Sequence, residues 1–256
     1  MDFDTDLIGE FIVIDKKTMK AQERRFEADP YLLMHAMNAY EMPGEPNKIV
    51  VDATTTEGDI IEYYYYKYMN STGEEYKNLY AEMTPIGVPK RYILDLDEPA
   101  NLQHVVKTEG ELHFPPTADT EFPCFEQGGV EFPIINYYRS DGLFYDHYWA
   151  CGFGEMLPDR LYHVKLSTKE RFVWQATGYS PSEPVFIPNP YIDEEDAGVL
   201  VSIVSPYTDW DAKPFIVFLN ANDMTEIARA ELPDDYYIPV GFHSYYVADD
   251  NVPFFD

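Results

Sequence analysis

The sequence predicts an all-β protein, and three observations carry that expectation. Tyr (22) and Phe (16) are abundant among the 256 residues, and aromatic side chains favour strands. Pro (20) is scattered along the chain, where it punctuates loops. One pattern also recurs: an apolar strand, a short polar turn and a second strand, which reads as a β-hairpin.

The hairpins come in order. GEFIVIDKKTMKAQERRF occupies residues 9–26, a weaker copy (KRYILDLDEPANLQHVV) lies at 90–106, and RLYHVKLSTKERFVW and KPFIVFLNANDMTEIARAEL follow at 160–174 and 213–232. Residues 74–83 break the pattern, placing Tyr76, Leu79, Tyr80 and Met83 on one face of a short amphipathic helix. Proline-rich loops are expected at 114–123 and 180–190. No composition break divides the chain, so residues 1–256 are expected to form a single domain. Unevenly spaced hairpins fit propeller blades with insertions; a β-sandwich fits the pattern almost as well. The first predicted strand begins near Ile8 with almost nothing before it, so the chain is expected to start mid-blade, with upstream blades missing.

Composition narrows the function. A net charge of -28 repels nucleic-acid phosphates and argues against a polybasic grip on anionic lipid. Two cysteines, Cys124 and Cys151, are too few for a disulfide framework, so a reducing compartment is the default. The N-terminus lacks a basic start followed by an apolar run. No apolar stretch approaches spanning length. These features predict a cytoplasmic protein, with peripheral membrane contact through exposed aromatics left open.

Conventional site motifs are absent. The six histidines show no helical i, i+4 zinc pairing, there is no CxxC, no phosphate-binding loop and no GxSxG elbow. His35, in PYLLMHAMNAYE, and His243, in YIPVGFHSYYV, which reads as an apolar, aromatic strand near the C-terminus, are both flanked by residues of buried character. Glu131, in GGVEFPIINYY, and Glu183, in GYSPSEPVFIPNP, are carboxylates in apolar settings. A buried carboxylate needs a partner. The free N–H of a metal-bound imidazole is one; backbone N–H groups or an arginine are others.

The pieces HAMNAYE, VEFPIINY, PDRLYHVKLSTKERFVWQ, YSPSEPVFIPNP, DEEDAGVLVSIV, NANDMTEIARAELP and GFHSYYV occur in this order between residues 35 and 247, within a match that runs from about Gly9 to Val247. Together they resemble the C-terminal portion of the carotenoid oxygenase family, which includes β-carotene-cleaving oxygenases and the retinoid isomerase. The resemblance implies a seven-bladed β-propeller, here partial, with short helical and loop insertions forming a dome. It implies Fe(2+) on the propeller axis, held by four histidines. The family's H-x-x-N-A-Y-E and F-H motifs place two of these ligands on His35 and His243. Its E-F-P and S-E-P motifs place the carboxylates behind the ligands on Glu131 and Glu183, and the tunnel-lining aromatic on Phe132. No catalytic side chain beyond this metal site is implied. His104, His113, His147 and His163 match none of the ligand motifs, and the other two ligands are expected upstream of Met1. Ser244 stands where the family usually has glycine.

The implied partners are dioxygen and an apolar polyene: a carotenoid, apocarotenoid or retinoid, held in an aromatic tunnel. The implied reaction is oxidative cleavage of a conjugated double bond to aldehydes, expected as part of a longer enzyme, with this chain alone incomplete and inactive. Isomerising hydrolysis of a retinyl ester on the same iron, and a truncated non-catalytic binder of apolar ligands, are the alternatives.

Overall fold

In the computed structural model, the residues described are 8–29, 31–56, 87–97, 104–105, 107–111, 129–153, 157–207, 211–233, 236, 238 and 241–247. The expected helix at 74–83 and the loop at 114–123 lie outside them. Two compact units divide the chain, Met1–His113 and Phe114–Asp256.

In the first unit, β1 (Gly9–Asp15) and β2 (Lys20–Ala28) form the first expected hairpin, and β6 (His104–Val105) adds in parallel to β2. A second sheet runs β3 (Leu32–Met42), β4 (Glu45–Thr56), β5 (Val88–Asp95) and β7 (Lys107–Glu111), each antiparallel to the next. Pro43-Gly44 turns β3 into β4, and Gly44 takes φ +81, where a glycine escapes the Cβ clash. The expected hairpin at 90–106 does not form. β5 pairs with β7, and His104–Val105 goes to β2 instead. The connecting segment, 96–103, is too long for a tight turn, so nothing local fixes that pairing.

The second unit holds β8 (Gly129–Ile134), a single-turn helix α1 (Tyr137–Ser140), β9 (His147–Phe153), β10 (Arg160–Lys165) and β11 (Glu170–Gln175). The four strands form one antiparallel sheet in the order β11-β10-β9-β8. A further sheet is built on β14 (Gly198–Pro206). On one side it pairs with β12 (Tyr179–Pro181) and β13 (Val185–Pro188). On the other it pairs with β15 (Phe215–Asn220), which carries β16 (Glu226–Glu231). The segment 180–190 was expected as a loop, yet it contributes β12 and β13. Its prolines fit because both strands are edges, where a missing N–H breaks no ladder.

Three hairpins share one loop. After Asp15, Lys165 and Asn220, the fourth residue takes a positive φ: Met19 at 54, Lys169 at 59 and Met224 at 62. In two of them that residue's N–H returns to the strand-end carbonyl, Met19 to Asp15 at 2.7 Å and Met224 to Asn220 at 2.8 Å. The loop polar groups are satisfied locally, as where the Asp15 carboxylate accepts the N–H groups of Lys17 and Thr18.

Strand alternation builds the cores. In β15, Phe215, Val217 and Leu219 point inward opposite Val204, Ser202 and Leu200 of β14. They join Trp149, Leu161 and Phe186 in the core of the second unit. The first unit has its own cluster of Phe26, Tyr92 and Leu94, with Phe11 and Tyr31 packed against it. The outer edge, β16, is exposed throughout and reads EIARAE, a charged strand of the kind that resists edge-to-edge association.

Candidate metal centres and ligand cleft

His35 lies on β3, half-buried, opposite Thr54 of β4. The Thr54 hydroxyl donates to the His35 backbone carbonyl at 3.1 Å. Register shifts on both sides of this position, between Leu33 and His35 and between Ala36 and Asn38, twist the strand where the histidine is displayed. Asn38, three residues on, faces Asp52 across the ladder.

In the second unit, His243 sits in the segment 241–247, which carries no regular structure. An apolar strand of buried character was expected here. Instead Phe242 and Tyr245 are exposed, and the His243 side chain is 61% accessible. Side-chain anchors replace strand pairing. The Gly241 N–H donates to Ser182 Oγ at 3.0 Å, and the Ser244 N–H donates to Glu183 Oε2 at 2.7 Å. His243 Nδ1 lies 3.2 Å from both oxygens of the Glu183 carboxylate. With Nδ1 carrying the proton toward Glu183, Nε2 keeps its lone pair for a metal. The donor chemistry of this imidazole therefore fits a ferrous ion.

Glu131 is 3% exposed on β8. Its neighbour Phe132 takes φ 53 within a register shift between Glu131 and Ile134. Positive φ is unusual for a bulky residue, and such outliers gather where a side chain must be re-aimed. Here the Phe132 ring meets His243 edge-on at 5.8 Å and Phe242 at 5.5 Å, and it stacks on Phe153 at 6.0 Å. Nearby, a cleft of about 270 Å³ is lined by Ile134, Tyr137, Phe186, Ser244, Tyr245 and Tyr246, among others. The Tyr137 hydroxyl is pushed above its ordinary range, first by burial and then by Glu183 and Asp141. Cys151 is fully buried and its thiol is pushed well up by burial, which makes it inert packing rather than a nucleophile. Cys124 lies outside the described residues.

A second group was not singled out from the sequence. His147 on β9, His163 on β10 and Asp196 on the loop before β14 offer three donor atoms that all lie within 4.8 Å of one another. His147 Nδ1 is 2.8 Å from His163 Nε2 and 3.7 Å from Asp196 Oδ2. Both histidines are buried, and His163 is 1% exposed. Its ring lies between Trp149 and Phe172, at 5.1 and 5.5 Å, and these are its register partners on β9 and β11. The missed signal was positional. His147 and His163 meet only once β9 and β10 are paired, and that hairpin was not among those predicted.

Burial, and then the neighbouring His147, push the His163 imidazole down to about 4. The unfolded chain binds this proton near pH 6.5, whereas the folded chain binds it only near 4. Stability is thus full above about pH 6.5 and falls as the pH drops toward 4. The expected loss from this group is about 3 kcal/mol. Denaturation at a series of pH values between 7.5 and 4 should show it. The His163→Gln variant should lose that part of the slope, and an unchanged slope would refute the assignment.

Among the described residues, no helix is long and apolar enough to cross a membrane. The family described as retinal pigment epithelial membrane protein matches residues 1–248. The chain is 31% identical over 254 residues to a mitochondrial carotenoid-cleaving dioxygenase of Macaca fascicularis, a match covering 93% of this chain and 44% of that protein. In structure it resembles an ACO/RPE65 chimera, with TM-score 0.72, 20% identity and coverage of 96% of this chain and 45% of the other. It also resembles a lignostilbene dioxygenase of Pseudomonas brassicacearum, with TM-score 0.72, 21% identity and coverage of 97% and 48%. The fold class expected from sequence, all-β and propeller-like, is the one these structures share.

The chain spans less than half the length of these relatives. The resemblance was expected to reach only the family's C-terminal portion, and that limit is corrected. The family match begins at residue 1 and runs to 248, and the similarity covers 93% or more of the chain. Over nearly its whole length, then, the chain belongs to the carotenoid oxygenase family, that of the retinal pigment epithelial membrane protein.

Proposed function

We propose that this chain supplies two histidine ligands, His35 and His243, to the ferrous iron of an oxygenase that cleaves a carotenoid or apocarotenoid to aldehydes. The observation that carries the reading is the Glu183 carboxylate, which orients the His243 imidazole through Nδ1 at 3.2 Å. It also fixes the Ser244 N–H of the same segment. Similarity to carotenoid-cleaving dioxygenases favours this substrate class. Glu131 is assigned the corresponding role of bracing an imidazole.

The iron, when bound, would supply activation of dioxygen. The chain's own residues bind and shield. Phe132 sets an aromatic wall beside His243. The cleft walls of Ile134 and Phe186 offer apolar surface to a polyene. Glu183 holds the proton on Nδ1 and so keeps Nε2 basic.

Anaerobic titration of the 256-residue chain with Fe(II) tests this. Weak binding is expected, since only two of the four histidines that the family resemblance implies are matched by motif. Glu183→Gln should weaken it by about 10- to 100-fold, with little change in stability. Iron affinity indifferent to both Glu183→Gln and His243→Ala would overturn the reading. Supplied with β-carotene and a retinyl ester in parallel, the chain is expected to give no robust product. Robust aldehyde would contradict the two-ligand reading, and retinol with its ester consumed would favour the isomerising branch.

A further inference from the structure

We propose that His147, His163 and Asp196 form a binding site for a divalent cation of the zinc type. The resemblance to known relatives assigns a metal to none of the three. The donor set is two imidazole nitrogens and one carboxylate oxygen, which with one water completes a tetrahedral zinc shell. Zn–N bonds of about 2.0–2.1 Å put tetrahedral ligand atoms roughly 3.3 Å apart. Two of the observed separations straddle this, 2.8 Å for the two imidazole nitrogens and 3.7 Å from His147 Nδ1 to Asp196 Oδ2, and all three donor atoms lie within 4.8 Å of one another. A cation entering the cluster needs only small side-chain movements.

The groups behind the donors are those a metal site needs. His163 Nδ1–H donates to the Asn222 carbonyl at 2.7 Å, which fixes the tautomer with the Nε2 lone pair facing the cluster. The side-chain amide of the same Asn222 donates to Asp196 Oδ2 and orients that carboxylate. Without metal, His147 donates its Nδ1 proton to His163 Nε2. To ligate through Nδ1, His147 must carry its proton on Nε2 instead. The Asp146 carboxylate lies 3.9 Å from that nitrogen and is placed to face it. Asp146 is itself held by the Ser167 N–H and hydroxyl. Metal binding therefore relocates one proton within a neutral imidazole, releases none and changes no oxidation state.

The experiment uses the full chain carrying His35→Ala and His243→Ala, stripped of metal and titrated with Zn(II). Co(II) serves as a spectroscopic probe of tetrahedral geometry, and the His147 ring nitrogens are followed by NMR. One equivalent of zinc is expected, with a raised Tm, a tetrahedral Co(II) spectrum and a switch of His147 from the Nδ1–H to the Nε2–H tautomer. Asp196→Asn and His147→Gln should each weaken binding by at least about tenfold. Asp196 is on a loop, so its variant is expected to fold even if the buried histidine variant does not. Absence of stoichiometric zinc, or binding unchanged in Asp196→Asn, would overturn the site and leave a purely structural histidine pair. Because both proposed iron ligands are removed, that failure would leave the iron reading untouched.

Discussion

Trp149→Ala is expected to destabilise the second unit by about 3–5 kcal/mol. The indole is fully buried, lies against Phe186 at 4.4 Å and His163 at 5.1 Å, and donates its Nε1–H to the Ala221 carbonyl at 2.8 Å. Truncation removes a large apolar volume from the centre of the core and leaves the Ala221 carbonyl without its indole donor. The damage should spread along defined contacts. Ala221 begins the turn that carries Asn222, and Asn222 holds both His163 and Asp196. Urea denaturation should show the midpoint falling with little change in slope. Trp149→Phe should cost less, since it retains a ring against Phe186. A loss below about 1 kcal/mol for the alanine variant would mean that this aromatic stack does not organise the unit.

The second large effect is expected in the first unit. Asp52 is fully buried on β4, and Arg91 of β5 meets it with two parallel bonds, Nε to Oδ1 at 2.9 Å and Nη2 to Oδ2 at 2.7 Å. The two are register partners. Arg91→Ala strips the guanidinium from a carboxylate that water cannot reach, which typically costs about 3–5 kcal/mol. Replacing both partners, Asp52→Asn with Arg91→Met, should cost far less, because no uncompensated charge stays buried. The contrast between the single and the double variant is the diagnostic, and equal losses would contradict it. Since Asp52 also faces Asn38 of β3, the single variant should loosen the strand that displays His35.

How much of this was legible in the sequence follows from how local each feature is. The hairpins at 9–28 and 215–231 were readable because their turns carry their own hydrogen bonds within a few residues. β3 and β4 were missed as a hairpin, since three register shifts blur the period-two alternation that marks a strand. β12 and β13 were hidden by prolines, which edge strands tolerate. Of the candidate site, Glu183 and His243 were readable from motif, and their contact spans 60 residues of chain. The exposure of the 241–247 segment was not, because its apolar composition reads as a strand while its anchors are the side chains of Ser182 and Glu183. The His147, His163 and Asp196 group was illegible because it depends on β9–β10 pairing and on a loop from elsewhere in the unit.

The most direct measurement of the central claim is a double-mutant cycle of Fe(II) affinity, made in an Asp196→Asn background so that the other cluster does not compete. If His35 and His243 bind one ion, either alanine substitution alone should remove nearly as much affinity as both together, a strongly non-additive result. Additive losses, or no loss from one of the two, would contradict a shared iron.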